Sequence, residues 1–282
     1  MKQGFFTPDE EISALVSRLC DLCEVAARGE MAATPYLTPR EAKYARAYLA
    51  SRVSVGTAVA WGGYREAERV RMILLPDYLE GMVDPTTLAA DPVSALRDTG
   101  IDDTAKELSD LTVPLRVQGS GFRVLTHRDY LGSILALGLD RDAVGDVSVT
   151  DDRTAIIVCG APIAEFLMTH LERVATDAVR VSRLPEGETI PLTHRFAPVS
   201  DTVASERLDC VVAALCNLSR DKAQTAVRSG LVEVDYETVE DCSATVDAPA
   251  VISVRGYGKF AVHSFDGTTR KGRIRLVAGK YI

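Results

Sequence analysis

Between residues 111 and 184 the chain switches hydrophobic period repeatedly, and this constrains its fold more than any other feature. Residues 111–118 alternate as a strand does, residues 126–137 carry a helical stripe, and residues 146–150 and 154–159 alternate again around the turn Asp151-Asp152-Arg153. Residues 162–174 return to the helical period and residues 178–184 to the strand period. The order β-α-β-β-α-β predicts an α+β unit in which two helices cover one face of a sheet.

That order is the ferredoxin-like plan, which many RNA-recognition domains share, so the stretch reads as RRM-like. RNA readers of this plan usually stack bases on aromatics of the middle strands. Here those strands offer Val147, Val149, Ile156 and Val158 instead, which argues against an RNA-stacking sheet. On either side the chain divides further, so a multi-domain protein is expected: an N-terminal α/β domain over 1–110, the RRM-like domain over 111–184, a linker over 185–204 and a C-terminal module over 205–282. Thr7-Pro8-Asp9-Glu10 and Thr38-Pro39-Arg40-Glu41 read as helix starts, each with an N-cap, a proline in the first turn and a glutamate that closes a capping box. Strands are expected at 54–61 and 70–75 around Gly62-Gly63-Tyr64, and irregular chain or short helices over 82–110. Three prolines and little period mark 185–204 as linker.

Several function classes find no support. No apolar run approaches the roughly 20 residues that cross a bilayer, and Met1–Glu11 lacks the apolar stretch of a secretory signal, so a cytoplasmic location is expected. Cys20 and Cys23 form the one close cysteine pair. They lie on a helix whose apolar face is Ile12, Leu15, Val16, Leu19, Cys23 and Ala26, and no second pair completes four zinc ligands. His127-Arg128-Asp129 copies a kinase triplet, but Ile134 stands where that motif needs Asn, and Thr126 with Asp129 reads more simply as a capping box. The four histidines are scattered, and no phosphate-binding or dinucleotide loop is present. No metal, cofactor, membrane or small-molecule substrate is expected, and the chain reads as a binding protein rather than an enzyme.

Charge directs attention to the C-terminal module. The whole chain carries −8, with −9 over residues 1–204 and +1 over residues 205–282, and most of the module's acids fall between Glu233 and Asp247. A near-neutral module with separated signs can present a basic face. Ser219 is a good N-cap and Gly230 a good residue past the helix end, which places Arg220, Gln224 and Arg228 four apart on one stripe. Ala223, Ala226 and Val227 take the neighbouring, core-facing side. Arg207 begins the preceding helix and can reach the same surface. Planar guanidiniums suit phosphate, although the stripe taken alone is equally a solvated helix face.

Arg207-Leu208-Asp209, Ser219-Arg220-x-x-Ala223 and Gly230-x-Val232-x-Val234 resemble the S4 RNA-binding domain, an αL-type module, with residues 251–256 as its closing strand. Gly62-Gly63-Tyr64-x-Glu66-Ala67-Glu68-Arg69, Leu125-Thr126-His127-Arg128-Asp129-Tyr130, Leu137-Gly138-Leu139-x-Arg141 with Gly145-Asp146, and Val254-Arg255-Gly256-Tyr257-Gly258-Lys259-Phe260 resemble the bacterial YlmH family over nearly the whole chain. The resemblance implies an RNA-binding protein of ribosome-associated quality control. It would bind ribosomal RNA, peptidyl-tRNA or both on the large ribosomal subunit. It implies RNA contacts at Arg207, Ser219, Arg220, Lys222, Gln224, Arg228 and Lys259, with Asp209 orienting a neighbouring arginine, and it carries a cell-division label. Arg128 and Arg141 are candidate secondary contacts. Asp221, Asp235 and Ala250 depart from the family pattern, and the first two add negative charge beside the proposed face. Two rivals stay open: an RNA-modifying enzyme of the pseudouridine synthase or methyltransferase type, and a cell-division adaptor.

Overall fold

The computed structural model describes residues 10–53, 57–185, 187–188, 190, 196–269 and 272–281. The expected helix start at Thr7-Pro8-Asp9 and the beginning of the strand expected at 54 lie outside them. The chain forms two compact units, Met1–Thr193 and His194–Ile282.

In the first unit, α1 (Glu10–Ala27) buries Ile12, Leu15, Leu19 and Ala26, the stripe its periodicity marks out. The strand β1 (Ala32–Ala33) leads to α2 (Pro39–Leu49), whose capping box is as expected: Glu41 N donates to Thr38 Oγ1 at 3.3 Å and Thr38 N donates to Glu41 at 2.7 Å. With β2 (Ala58–Trp61) and β3 (Arg71–Leu74), β1 makes an antiparallel sheet of order β1-β3-β2. Strand alternation splits its apolar residues between two cores. Met72 and Leu74 pack with α1 and α2, while Val59, Trp61 and Ile73 pack with α3 (Pro85–Ala90), α4 (Pro92–Asp98) and α5 (Asp102–Leu111). The acidic stretch 82–110 is therefore helical. Two of its aspartates are caps: Asp84 accepts from the amides of Thr86 and Thr87 at 3.0 Å, and Asp91 accepts from Ser94 N at 3.1 Å. A helix of one or two turns is too short to display a period, so the sequence reads there as irregular chain or short helices.

The same unit continues through β4 (Val113–Gly119), α6 (His127–Leu135), β5 (Val144–Asp151), β6 (Thr154–Cys159), α7 (Ala161–His170), β7 (Arg173–Val174) and β8 (Asp177–Arg183). The sheet order is β5-β6-β4-β8-β7, with every pair antiparallel. Tyr130 and Ile134 of α6 and Ala164 and Leu167 of α7 cover one face, against Leu115, Val117, Ala155 and Ile157. Helix α7 ends four residues before the expected position. Beyond it Arg173 and Val174 pair with Ala178 and Asp177 across Ala175, whose φ is 52°.

The opposite face of this sheet is partly closed, by residues from the N-terminal stretch. Ile156 and Val158 are buried with Tyr36, and Tyr64 packs beside them. Gly145 permits this approach, because a Cβ there would come within 2.7 Å of the Tyr36 ring. Asp146 fastens the seam. Its carboxylate accepts from Tyr64 Oη at 2.6 Å, Glu68 N at 2.8 Å and Arg69 N at 3.0 Å. Residues 1–110 and 111–184 thus share buried surface within one unit.

The second unit contains β9 (Phe196–Val203), α8 (Leu208–Leu215), α9 (Arg220–Arg228), β10 (Val232–Val234), β11 (Glu237–Thr238), β12 (Ala250–Val254), β13 (Gly258–Thr268) and β14 (Ile274–Tyr281). They form one antiparallel sheet of order β11-β10-β12-β13-β14-β9 with both helices on one face. Two expectations are corrected. Residues 196–203, assigned to the linker, are an edge strand along β14, in which Pro198 stands opposite Gly279. An edge strand tolerates proline because one side of it has no partner to receive an N–H, so a residue read as a breaker lies inside an element. The strand at 250–254 does not close the module, since β13 and β14 extend the sheet beyond it.

Candidate nucleic-acid interface

Helices α8 and α9 have 8 and 9 residues, too few to persist alone in water. Their apolar faces fix them. Leu208, Val211, Val212 and Leu215 of α8 and Ala223, Ala226 and Val227 of α9 are buried with Val232, Ile252, Phe260 and Leu276 of the sheet. Ser219 caps α9 by accepting from Lys222 N at 3.4 Å, and Gly230 follows the helix end with φ of 64°.

The polar faces of the two helices converge on Asp209, whose side chain has no exposed surface. Arg207 donates from Nε to Oδ1 at 3.1 Å and from Nη2 to Oδ2 at 3.3 Å. Oδ2 also accepts from Arg220 Nε at 3.2 Å and from Gln224 Nε2 at 2.8 Å. Burial pushes the Asp209 carboxyl pKa up, but the hydrogen bonds from Arg207, Gln224 and Arg220 and the Arg207 charge outweigh it. The pKa lies well below the usual carboxylate range, so the group stays ionised. One buried anion therefore orients two guanidiniums, whose side chains remain 39% and 59% exposed. Each guanidinium has five N–H donors and spends only one or two here, so the rest face solvent in a fixed orientation. Arg228 lies further along the same stripe, exposed and with no partner among the described residues.

Other expected residues fall elsewhere. Lys222 is exposed, but two positions along α9 turn it roughly 200° from Arg220. Lys259 adjoins the core residue Phe260 on β13 and so belongs to the sheet face away from the helices. There its ammonium lies 4.6 Å from the Tyr281 ring centroid and 5.3 Å from that of Tyr236. The signs of charge are less separated than the sequence suggested. The acid-rich loop after β11 runs against the start of α8, where Leu208 N donates to Ala244 O at 2.8 Å, and its Asp241 is held by Ser243. Asp235 is structural: its carboxylate accepts from Val251 N at 2.8 Å, and it shares with Tyr236 a two-residue hairpin in which both φ angles are positive. Asp221 is exposed on α9, and Ala250 opens β12.

Of the secondary candidates, Arg128 is exposed in the first turn of α6, whereas Arg141 is committed to its own backbone. Its guanidinium donates to Val144 O at 2.6 Å and Gly145 O at 3.0 Å, and burial together with the Arg69 charge lowers its pKa to about 10. The seam residues Tyr36, Tyr64 and Asp146 had no structural role in the sequence reading. The motifs that hold Tyr64 and Asp146 were legible as motifs, but nothing in them named a partner, and Tyr36 fell in none.

Among the described residues no helix is long and apolar enough to cross a membrane, and no group of three His, Cys, Asp or Glu side chains could hold a metal ion. Residues 11–79 match the family profile "YlmH, N-terminal", and residues 115–188 match "Putative RNA-binding domain in YlmH". The chain is 31% identical over 247 residues to the "Ribosome-associated protein quality control protein P2" of Bacillus subtilis (strain 168), covering 87% of this chain and 86% of that one. The chain belongs to the YlmH family. A solved structure, the "Cell division protein ylmH from Streptococcus pneumoniae", aligns with a TM-score of 0.48 at 16% identity, over 67% of this chain and 99% of that one. The second YlmH profile coincides with the β4–β8 sheet, one face of which is packed by α6 and α7 and the other partly closed by Tyr36 and Tyr64.

Proposed function

We propose that this YlmH-family chain is an RNA-binding protein that grips ribosomal RNA, and peptidyl-tRNA beside it, on the large ribosomal subunit during quality control of stalled nascent chains. The observation that carries the proposal is the buried Asp209 carboxylate holding Arg207 and Arg220 side by side with their remaining donors outward. Such an array matches consecutive phosphates of a folded RNA better than freely rotating lysines would, because the forks are oriented before the ligand arrives. Two short helices presenting arginines beside an antiparallel sheet support reading residues 205–282 as an S4-like module. The antiparallel order β5-β6-β4-β8 supports a ferredoxin-like reading of residues 111–184. The printed names of the matched profile and of the relative point the same way.

Co-sedimentation of the full chain with purified large subunits tests the reading. Arg220→Ala should weaken binding roughly tenfold, the usual loss for one charge-assisted contact, and binding should fall steeply between about 50 and 200 mM salt. Unchanged sedimentation of both Arg207→Ala and Arg220→Ala would overturn it. An RNA-modifying activity would instead show as a missing modification when cellular RNA from a deletion strain is analysed by mass.

A further inference from the structure

The β4–α6 loop, residues 120–124, holds an aromatic side chain that the fold does not use. Phe122 is 87% exposed and Val124 59% exposed. Yet the loop is tied down at both ends. Gly119 N donates to Arg153 O at 2.7 Å, Ser120 N to Ala178 O at 3.1 Å and Leu125 N to Asp152 O at 2.7 Å. The Ser120 hydroxyl bonds the buried Asp177 carboxylate and also accepts from Phe122 N at 3.3 Å. The pinned loop thus holds in solvent a phenyl ring that belongs to neither core cluster of the sheet it adjoins.

The surroundings indicate what chemistry would cover it. Arg123 is the next residue along the loop, and the Arg153 side chain passes 3.6 Å from the position a Cβ on Gly121 would take. Arg128 is exposed in the adjoining helix turn. The acids here are largely engaged: Asp177 by Ser120, Asp129 by Thr126 with Arg123 at 3.5 Å, and Asp151 by Arg153 N at 2.9 Å, which leaves Asp152 exposed on the hairpin. An exposed aromatic side chain on a loop that also carries arginines suits an unpaired base, which can stack on the ring while cations take the adjacent phosphates. The sheet face that usually performs this stacking has its apolar part under Tyr36 and Tyr64 in this chain.

We propose that Phe122, with Arg123 and Arg153, forms a second RNA contact that stacks an unpaired base. The site rests on the RNA-binding reading above but is built from different residues in the other unit. The test titrates the full chain with a short single-stranded oligouridylate and with a blunt RNA duplex of equal length, using wild type, Phe122→Ala, Phe122→Trp and Arg220→Ala. Phe122→Ala should lose about five-fold or more in affinity for the single strand, the usual cost of one lost stack, and little for the duplex. Because the ring is exposed, the substitution should leave the melting temperature unchanged. Phe122→Trp should keep the affinity, and its emission should be quenched as RNA is added. Wild-type binding that is weakened by Arg220→Ala but indifferent to Phe122→Ala, with no quenching, overturns this inference alone. A wild-type chain that binds neither RNA overturns both readings. Loss of ribosome binding by Phe122→Ala with both RNA affinities intact would make the loop a protein contact, which also overturns the proposal.

Discussion

Asp146 and Asp209 are chemically the same side chain and serve opposite ends. Asp146 gathers a phenol and two backbone amides, and so joins the Gly62–Arg69 motif to the sheet that follows it in sequence. Asp209 gathers two guanidiniums and a carboxamide, all from side chains, and so arranges a surface. The donors make the difference. Backbone amides belong to the fold and have nothing left over once bonded, whereas arginines bonded through one or two N–H groups keep others for a ligand. A saturated carboxylate therefore marks a joint in one unit and an orienting post in the other.

Removing each carboxylate should separate these roles. Asp146→Ala should have the largest effect on stability, about 3 kcal/mol, because it strands a phenol and two amides at a half-buried seam. The check is denaturant unfolding of the full chain, with hydrogen exchange at Glu68 and Arg69 accelerated and RNA affinity per folded molecule little changed. Tyr64 adds a spectroscopic sign: burial first, and then the Asp146 charge, push its phenol pKa up, so the substitution should let it ionise at lower pH.

Asp209→Asn should cost less stability, about 2 kcal/mol. The carboxylate is buried, but its arginine partners are partly solvated, and that screens the loss. Its main consequence should be on RNA binding, since Arg207 and Arg220 would no longer be held together. The pH dependence follows from the depressed carboxyl pKa of the folded state. The stability that Asp209 contributes is fully present above the unfolded-state value of about 3.9 and is lost as pH falls below it. Wild type should therefore destabilise between about pH 4 and 2 more steeply than Asp209→Asn. Equal acid profiles would show that Asp209 does not act as a paired anion. The smallest effect belongs to Arg141→Ala, which should change RNA affinity by less than about twofold, because that guanidinium is spent on Val144 and Gly145. A larger loss would return Arg141 to the interface and blur the distinction between joint and post.

The amino-acid order by itself determined what depends on neighbours. The capping boxes at Thr38 and Thr126, the α9 stripe of Arg220, Gln224 and Arg228, and the β-α-β-β-α-β succession were readable because caps and periods act within a few residues. The arginine face was likewise visible as a stripe, and the resemblance to S4 domains suggested that Asp209 orients it. Only the tertiary structure decided what those features meet. It placed Pro198 in an edge strand, moved Lys259 to the other face of the sheet, and brought Tyr64 to Asp146 across 82 positions. The physical reason is that a hydrogen bond or a buried contact depends on distance in space, which local periodicity does not encode once the chain has turned back on itself.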